Sequence, residues 1–278
     1  MDDSATPSAH RRRPQPLSAI PAARLAGVKI VLSDIDDTLT SDGRMTAAVY
    51  AALERLRDAG LLVIPVTGRP AGWCDMIARF WPVDAVIGEN GSFYYRYDHG
   101  AKRLIRRYRQ SEAERAENRE KLAAIRDQVL AEVPGVAVAA DQFCRDTDLA
   151  IDFCEDVPPV PRAAVDRVVE IFRSRGAEAK ISSIHVNGWF GDHDKLTTSL
   201  LVAEELFGLS REALGDCAVY LGDSPNDAPM FAGIPLSIGV ANVVDFLAEL
   251  DSPPRYVTEG RSGAGFVEFA ARLCAARG

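Results

Sequence analysis

Two aspartate clusters stand far apart in this chain, Asp34-Ile35-Asp36-Asp37-Thr38 and Gly222-Asp223-Ser224-Pro225-Asn226-Asp227, with Thr67-Gly68-Arg69 and Lys195 between them. Each cluster follows an apolar run, residues 28–32 and 218–221. Short apolar runs bounded by polar residues read as buried strands, so the carboxylates gather at strand ends. Like charges about 4 Å apart repel by roughly 4 kcal/mol at an effective dielectric near 20. Such crowding is tolerable with a cation among the carboxylates, and an all-oxygen donor set suits a hard metal ion. Singly, each motif is ordinary: an Asp-x-Asp turn, a Thr-Gly-Arg-Pro turn into a helix, a surface lysine, a capped helix start. Their joint order and strand-end context carry the chemical reading.

The elements that position these residues alternate short apolar runs with amphipathic stretches, the sequence form of a parallel sheet covered by helices. Strands are expected at 28–33, 61–66, 85–88, 218–221 and 236–240, with helices at 46–59, from Pro70, 195–206 and 243–250. The character changes after Asn90-Gly91. A hairpin over 93–97 and 103–108 precedes a charged helix at 111–133 with Ser111 as its cap, a strand pair near 136–140 and 149–153, a helix at 161–175 and a strand at 179–189. The expected fold class is therefore α/β, a doubly wound, Rossmann-like parallel-sheet core interrupted by an inserted α/β cap domain. The boundaries read as a disordered tail over 1–25, core over 26–91 and 190–278, and cap over 92–189. Ligands of open α/β sheets bind beyond the carboxyl ends of the strands, where every motif above falls.

With 278 residues and 47% apolar content, the chain can bury a core without metals or disulfides to hold it. Its net charge of -8 argues against broad nucleic-acid affinity. Five scattered cysteines lack the paired spacing of a zinc site and read as reduced thiols. No run approaches the roughly 20 apolar residues of a membrane span, and the stretch after Arg11-Arg12-Arg13 has no apolar signal core. A cytoplasmic protein without membrane attachment is expected.

The four motifs, their order and the insertion between the second and third resemble the haloacid dehalogenase superfamily of phosphohydrolases. The resemblance spans about residues 28–267 and leans toward the branch with a large α/β cap that includes sucrose phosphatase and mannosyl-3-phosphoglycerate phosphatase. It implies that Asp34 is a nucleophile forming an aspartyl-phosphate, and that Asp36 protonates the leaving oxygen and later deprotonates water. It further implies that Thr38, Thr67 and backbone N–H groups of the Gly68-Arg69 turn hold the phosphoryl oxygens beside Lys195. Mg²⁺ would be held by Asp34, the Asp36 carbonyl and Asp223, with Asp227 orienting Lys195 or a metal-bound water. Asp37 stands where many relatives have Gly.

Glu89 and Asn90, at the cap entrance, are expected to touch substrate hydroxyls, and Gly91 to serve as a hinge or a plain turn. Within the cap, Arg145, His185, Asn187 and Trp189 are the candidate specificity residues. The last three alternate on one strand, which places them on one face of its sheet. Asn226 completes the substrate set. The expected activity is Mg²⁺-dependent hydrolysis of a small phosphorylated metabolite, a sugar phosphate or glycosyl phosphoglycerate, by a monomer or homodimer. A phosphosugar mutase and a noncatalytic sugar-phosphate sensor are the alternatives.

Overall fold

Ile30–Ser33 and Ala218–Gly222 lie side by side in the middle of a parallel sheet, with Val31 opposite Val219 and Ser33 opposite Leu221. The computed structural model describes residues 13–182 and 184–278. The sheet has six strands in the order Gln15–Pro16, Tyr256–Val257, Ser237–Gly239, Ala218–Gly222, Ile30–Ser33, Leu62–Pro65. Strands covered on both faces must be apolar on both. Val31, Val63 and Val219 pack with Leu53, Phe266 and Phe269 on one side, and Ile30, Leu32 and Ile64 with Val202 and Met230 on the other. This shared register ends the two central strands at one level, and the Asp34 N–H extends the ladder by donating to the Leu221 carbonyl at 2.9 Å.

Two expected boundaries are corrected. Val86–Gly88 joins the sheet through a parallel bridge between Val66 and Ile87, and Phe93–Asp98 and Arg103–Tyr108 continue from it antiparallel. Phe93 and Tyr95 enter one apolar layer of the core and Tyr94 the other, so the hairpin expected in the cap extends the core sheet instead. A hairpin signal is local and does not name the sheet it joins. The tail expected through residue 25 also gives way. Gln15–Pro16 forms an edge strand, a position where proline is tolerated, and Leu17, Ile20 and Leu25 are buried beyond it. Residues 1–12 of that expected tail lie outside the described residues.

The cap sheet is antiparallel, in the order Glu178–Ile181, His185–Trp189, Asp148–Asp152, Ala137–Val138. The strand expected over 179–189 is thus two, with the chain reversing between them. Helices Glu112–Glu132 and Arg162–Ser174 cover one face through Leu122, Ile125, Val129, Val168 and Phe172. Ser111 caps the first of these with a capping box to Glu114. Leu149, Ile151 and Val186 point to those helices, so the alternate residues Asp148, Asp152, His185 and Asn187 line the opposite face. A short 3₁₀ segment, Ala241–Phe246, stands where a helix was expected at 243–250. Among the described residues no helix is long and apolar enough to cross a membrane.

Candidate active site

Asp34 leaves the end of its strand with 4% exposure, and its carboxylate lies 3.1 Å from the Lys195 ammonium. Lys195 opens helix Lys195–Phe207, whose N-cap Asp194 forms a capping box with Thr197. The ammonium also donates to Asp227 at 2.7 Å. Asp227 has no free oxygen: Oδ1 accepts from Lys195 and from the Tyr220 hydroxyl, and Oδ2 from the backbone N–H groups of Asp223 and Ser224. Of the two roles expected for Asp227, these contacts are those of a residue that orients Lys195. Gly222 is required by the same contact, since a Cβ there would collide with the Asp227 carboxylate and the Tyr220 ring.

Asp223 accepts from Thr38 Oγ1 at 3.1 Å and from Asn242 Nδ2 at 3.2 Å. The Thr38 hydroxyl, expected on the phosphoryl oxygens, is therefore turned to Asp223. Asn242 escaped the sequence reading. It also donates to the Asp37 carbonyl and accepts from Ser262 N–H, and its place just past a core strand end was the available signal. Asp37 has φ 55°, in the left-handed region, which explains why glycine is at ease at this place.

The electrostatics leave room for a divalent ion. Asp34, Asp223 and Asp227 are all buried, with carboxylate oxygens within 4.8 Å of one another, and face one ammonium. Burial pushes Asp34 up to about 8 against the pull of Lys195, and burial, then Asp227 and Asp34, lift Asp223 well above the carboxylate range. Burial also opposes the charge on Lys195, but Asp227 and Asp34 outweigh it and hold the ammonium above the usual lysine range. With all three carboxylates ionised, three negative charges against one ammonium would leave an excess of two, which one divalent cation would offset. The Asp36 side chain takes no part in this cluster.

Asp36 is gripped instead by Arg69, whose Nε and Nη2 donate to both carboxylate oxygens at 2.9–3.1 Å. The same guanidinium stands 3.5 Å from Glu155 and 3.8 Å from Asp141 of the cap, and 4.5 Å from the centre of the Trp73 ring. Thr67 Oγ1 accepts from the Arg69 N–H, which leaves its own proton to donate. Above them a cavity of only about 20 Å³ is lined by Asp34, Asp36, Gly68 and Arg69 from below. Arg145, His185 and Asn187 roof it, with Asn226 at the side. A space of that size holds about one water, so the site is shut.

Several cap candidates are tied down. Arg145 donates to Asp148 and to the Gly68 carbonyl, and Asn187 to Asp148. Burial lowers the His185 imidazole to about 4, and its Nε2 lies 2.9 Å from a Glu155 oxygen. Trp189 is corrected: it is 2% exposed, donates to the His193 carbonyl, stacks on the His193 ring and lines no part of the cavity. Its bulk fits a packing site, which alternation on a strand does not distinguish from a binding face.

Glu89 is corrected as well. Fully buried, it accepts from the N–H groups of Ala71, Asp146, Thr147 and Asp148 and from the Thr147 hydroxyl, fastening the cap segment 146–148 to the core. No oxygen is left for a substrate hydroxyl. Asn90 is 4% exposed and sits against Gly68, outside the cavity lining. Gly91 has φ 106°, and a Cβ there would strike the Asp194 backbone, so it is a close crossing of the two core–cap connections.

The family model of haloacid dehalogenase-like hydrolases matches residues 31–121. The phosphoglycolate phosphatase of Pyrobaculum neutrophilum is 30% identical over 246 residues, covering 87% of this chain and 94% of that protein. Phosphoglycolate phosphatase 1 of Saccharolobus solfataricus is 26% identical over 252 residues, covering 88% and 96%. Among solved structures, Thermoplasma acidophilum 0175 superposes with a TM-score of 0.65 at 19% identity, covering 88% of this chain and 98% of that one. Sucrose-phosphatase from Synechocystis does so at 0.62 and 16%, covering 88% and 97%. The chain belongs to the haloacid dehalogenase-like hydrolases, and it is a phosphatase.

Proposed function

We propose that this phosphatase hydrolyses a small phosphomonoester with Mg²⁺ through an aspartyl-phosphate on Asp34. The leaving group would be a sugar or, in keeping with the names of the two relatives, a short hydroxy acid. The observation that carries the reading is the Asp34 carboxylate, 3.1 Å from Lys195 and facing the roofed cavity beside further buried carboxylates.

An Asp34 oxygen attacks phosphorus while the bond to the leaving oxygen breaks, and Asp36 gives that oxygen its proton. Asp36 then takes a proton from the water that attacks the aspartyl-phosphate, which restores Asp34 and releases phosphate. Lys195, the Thr67 hydroxyl and the turn at Gly68 hold the phosphoryl oxygens as charge shifts among them. Asp34 and Asp223 would hold Mg²⁺, which when bound neutralises phosphoryl charge. The Arg69 fork occupies both Asp36 oxygens, so proton transfer requires that pair to open, and the 20 Å³ cavity requires the cap to move before substrate enters.

Phosphate release from phosphoglycolate and a panel of sugar phosphates, with Mg²⁺ or excess chelator, tests the reading beside the Asp34→Asn protein. Release that needs metal and falls at least about a thousandfold in the variant is expected. Equal release by both proteins sinks the assignment of Asp34, and ligand-induced stabilisation without turnover would favour a sensor.

A further inference from the structure

A groove of about 710 Å³ runs between cap and core beside the shut site. Part of its lining is an apolar wall: Val160, Val165, Val169 and Ile181 from the cap, Pro225 and Phe246 from the core. It shares Ser182, Ser224 and Asn226 with the catalytic cavity, so the two spaces adjoin across those residues. Its size lies within the roughly 300–1,000 Å³ of pockets that bury small molecules.

Charge at the rim separates this groove from a bare gap between lobes. Arg162 is neutralised by Asp166 and by Glu249, the second pair crossing from cap to core at 3.5 Å. Arg173 and Lys180, also lining the groove, have no ion-pair partner among the described residues. In a chain of net charge -8, two unneutralised cations beside an apolar wall attract an anion at the end of an apolar stem.

We infer that the groove is the leaving-group subsite, and that it takes phosphomonoesters whose leaving group is an apolar stem ending in a second anionic group, read by Arg173 and Lys180. This rests on the phosphatase reading and names the far end of the substrate. The groove wall buries the stem, while Asp34 and Lys195 hold the phosphoryl end.

A homologous series of ω-carboxyalkyl phosphates tests it, from phosphoglycolate with two carbons to the four- and six-carbon acids, with n-hexyl phosphate as the control without the distal charge. Each buried methylene contributes about fourfold, so kcat/KM is expected to rise at least about tenfold from two carbons to six. Replacing both cations, Arg173→Gln with Lys180→Gln, should lower kcat/KM for the six-carbon acid about tenfold. Phosphoglycolate and hexyl phosphate should stay within about twofold, since neither places a charge there. Lys180→Arg should retain the preference. A series flat in chain length, or a double variant that slows every member equally, overturns the subsite while leaving the phosphatase standing. Release from no member, 4-nitrophenyl phosphate included, overturns the phosphatase reading and the subsite with it.

Discussion

Asp227 does not line the cavity, yet with Asp34 it holds Lys195 charged and in place. Two backbone N–H groups, a phenol and an ammonium converge on one carboxylate, which fixes the lysine 3.1 Å from Asp34. Residues of this kind were legible because their types and order are unusual: two acidic loops at strand ends and, between them in the chain, a lysine that opens a helix. Asn242 and Glu155 were not, because a single amide or carboxylate in a loop has many uses and only the fold brings them to Asp223 and Arg69. Trp189 marks the limit of periodicity, which gives the face of a strand but not whether that face meets a ligand or a neighbour. Trp189→Ala should therefore act on stability. A loss of about 3–5 kcal/mol in denaturant unfolding is expected, with substrate preference unchanged, and a shifted preference at wild-type stability would return Trp189 to the pocket.

At the scale of elements, the central strands, the flanking helices and the order of the core were readable from apolar runs and caps. The edges of the insertion were not. The hairpin Phe93–Asp98 and Arg103–Tyr108 has the same local pattern whichever sheet receives it, and long-range pairing is set by burial on both faces. Cap and core are joined through Glu89. Gln in its place turns an amide toward backbone donors that need acceptors, and Glu89→Gln should cost about 2–3 kcal/mol. Burial lifts the Glu89 carboxyl to about 7 from the ordinary 4.5, so the folded chain holds a proton that the unfolded chain releases between those values. That contribution to stability is full below pH 4.5 and lost as pH rises through 7. The Tm gap between wild type and Glu89→Gln should be wider at pH 5 than at pH 8, and a gap wider at pH 8 would assign Glu89 an ionised role throughout.

For the whole molecule, the N-terminal segment is structural where composition suggested a loose tail. Pro, Ala and Arg around it concealed three apolar side chains, Leu17, Ile20 and Leu25, that close one layer of the core. Removing residues 1–25 should cost about 5 kcal/mol or more of burial and leave a protein that aggregates or melts far below the full chain. An unchanged Tm would show that the edge strand is dispensable. The sheet that these residues finish is assembled from both ends of the chain, and this matters during synthesis. Ile30–Ser33 has emerged from the ribosome long before its neighbour Ala218–Gly222 is made, while helices Glu112–Glu132 and Arg162–Ser174 can close with their own strands in between. At roughly 5–20 residues per second, the apolar strand that presents Asp34 waits on the order of ten to forty seconds for its partner. The nascent chain thus passes through an interval in which that strand, with Leu62–Pro65 available on one side, keeps its other edge open, the kind of exposed apolar edge that invites aggregation.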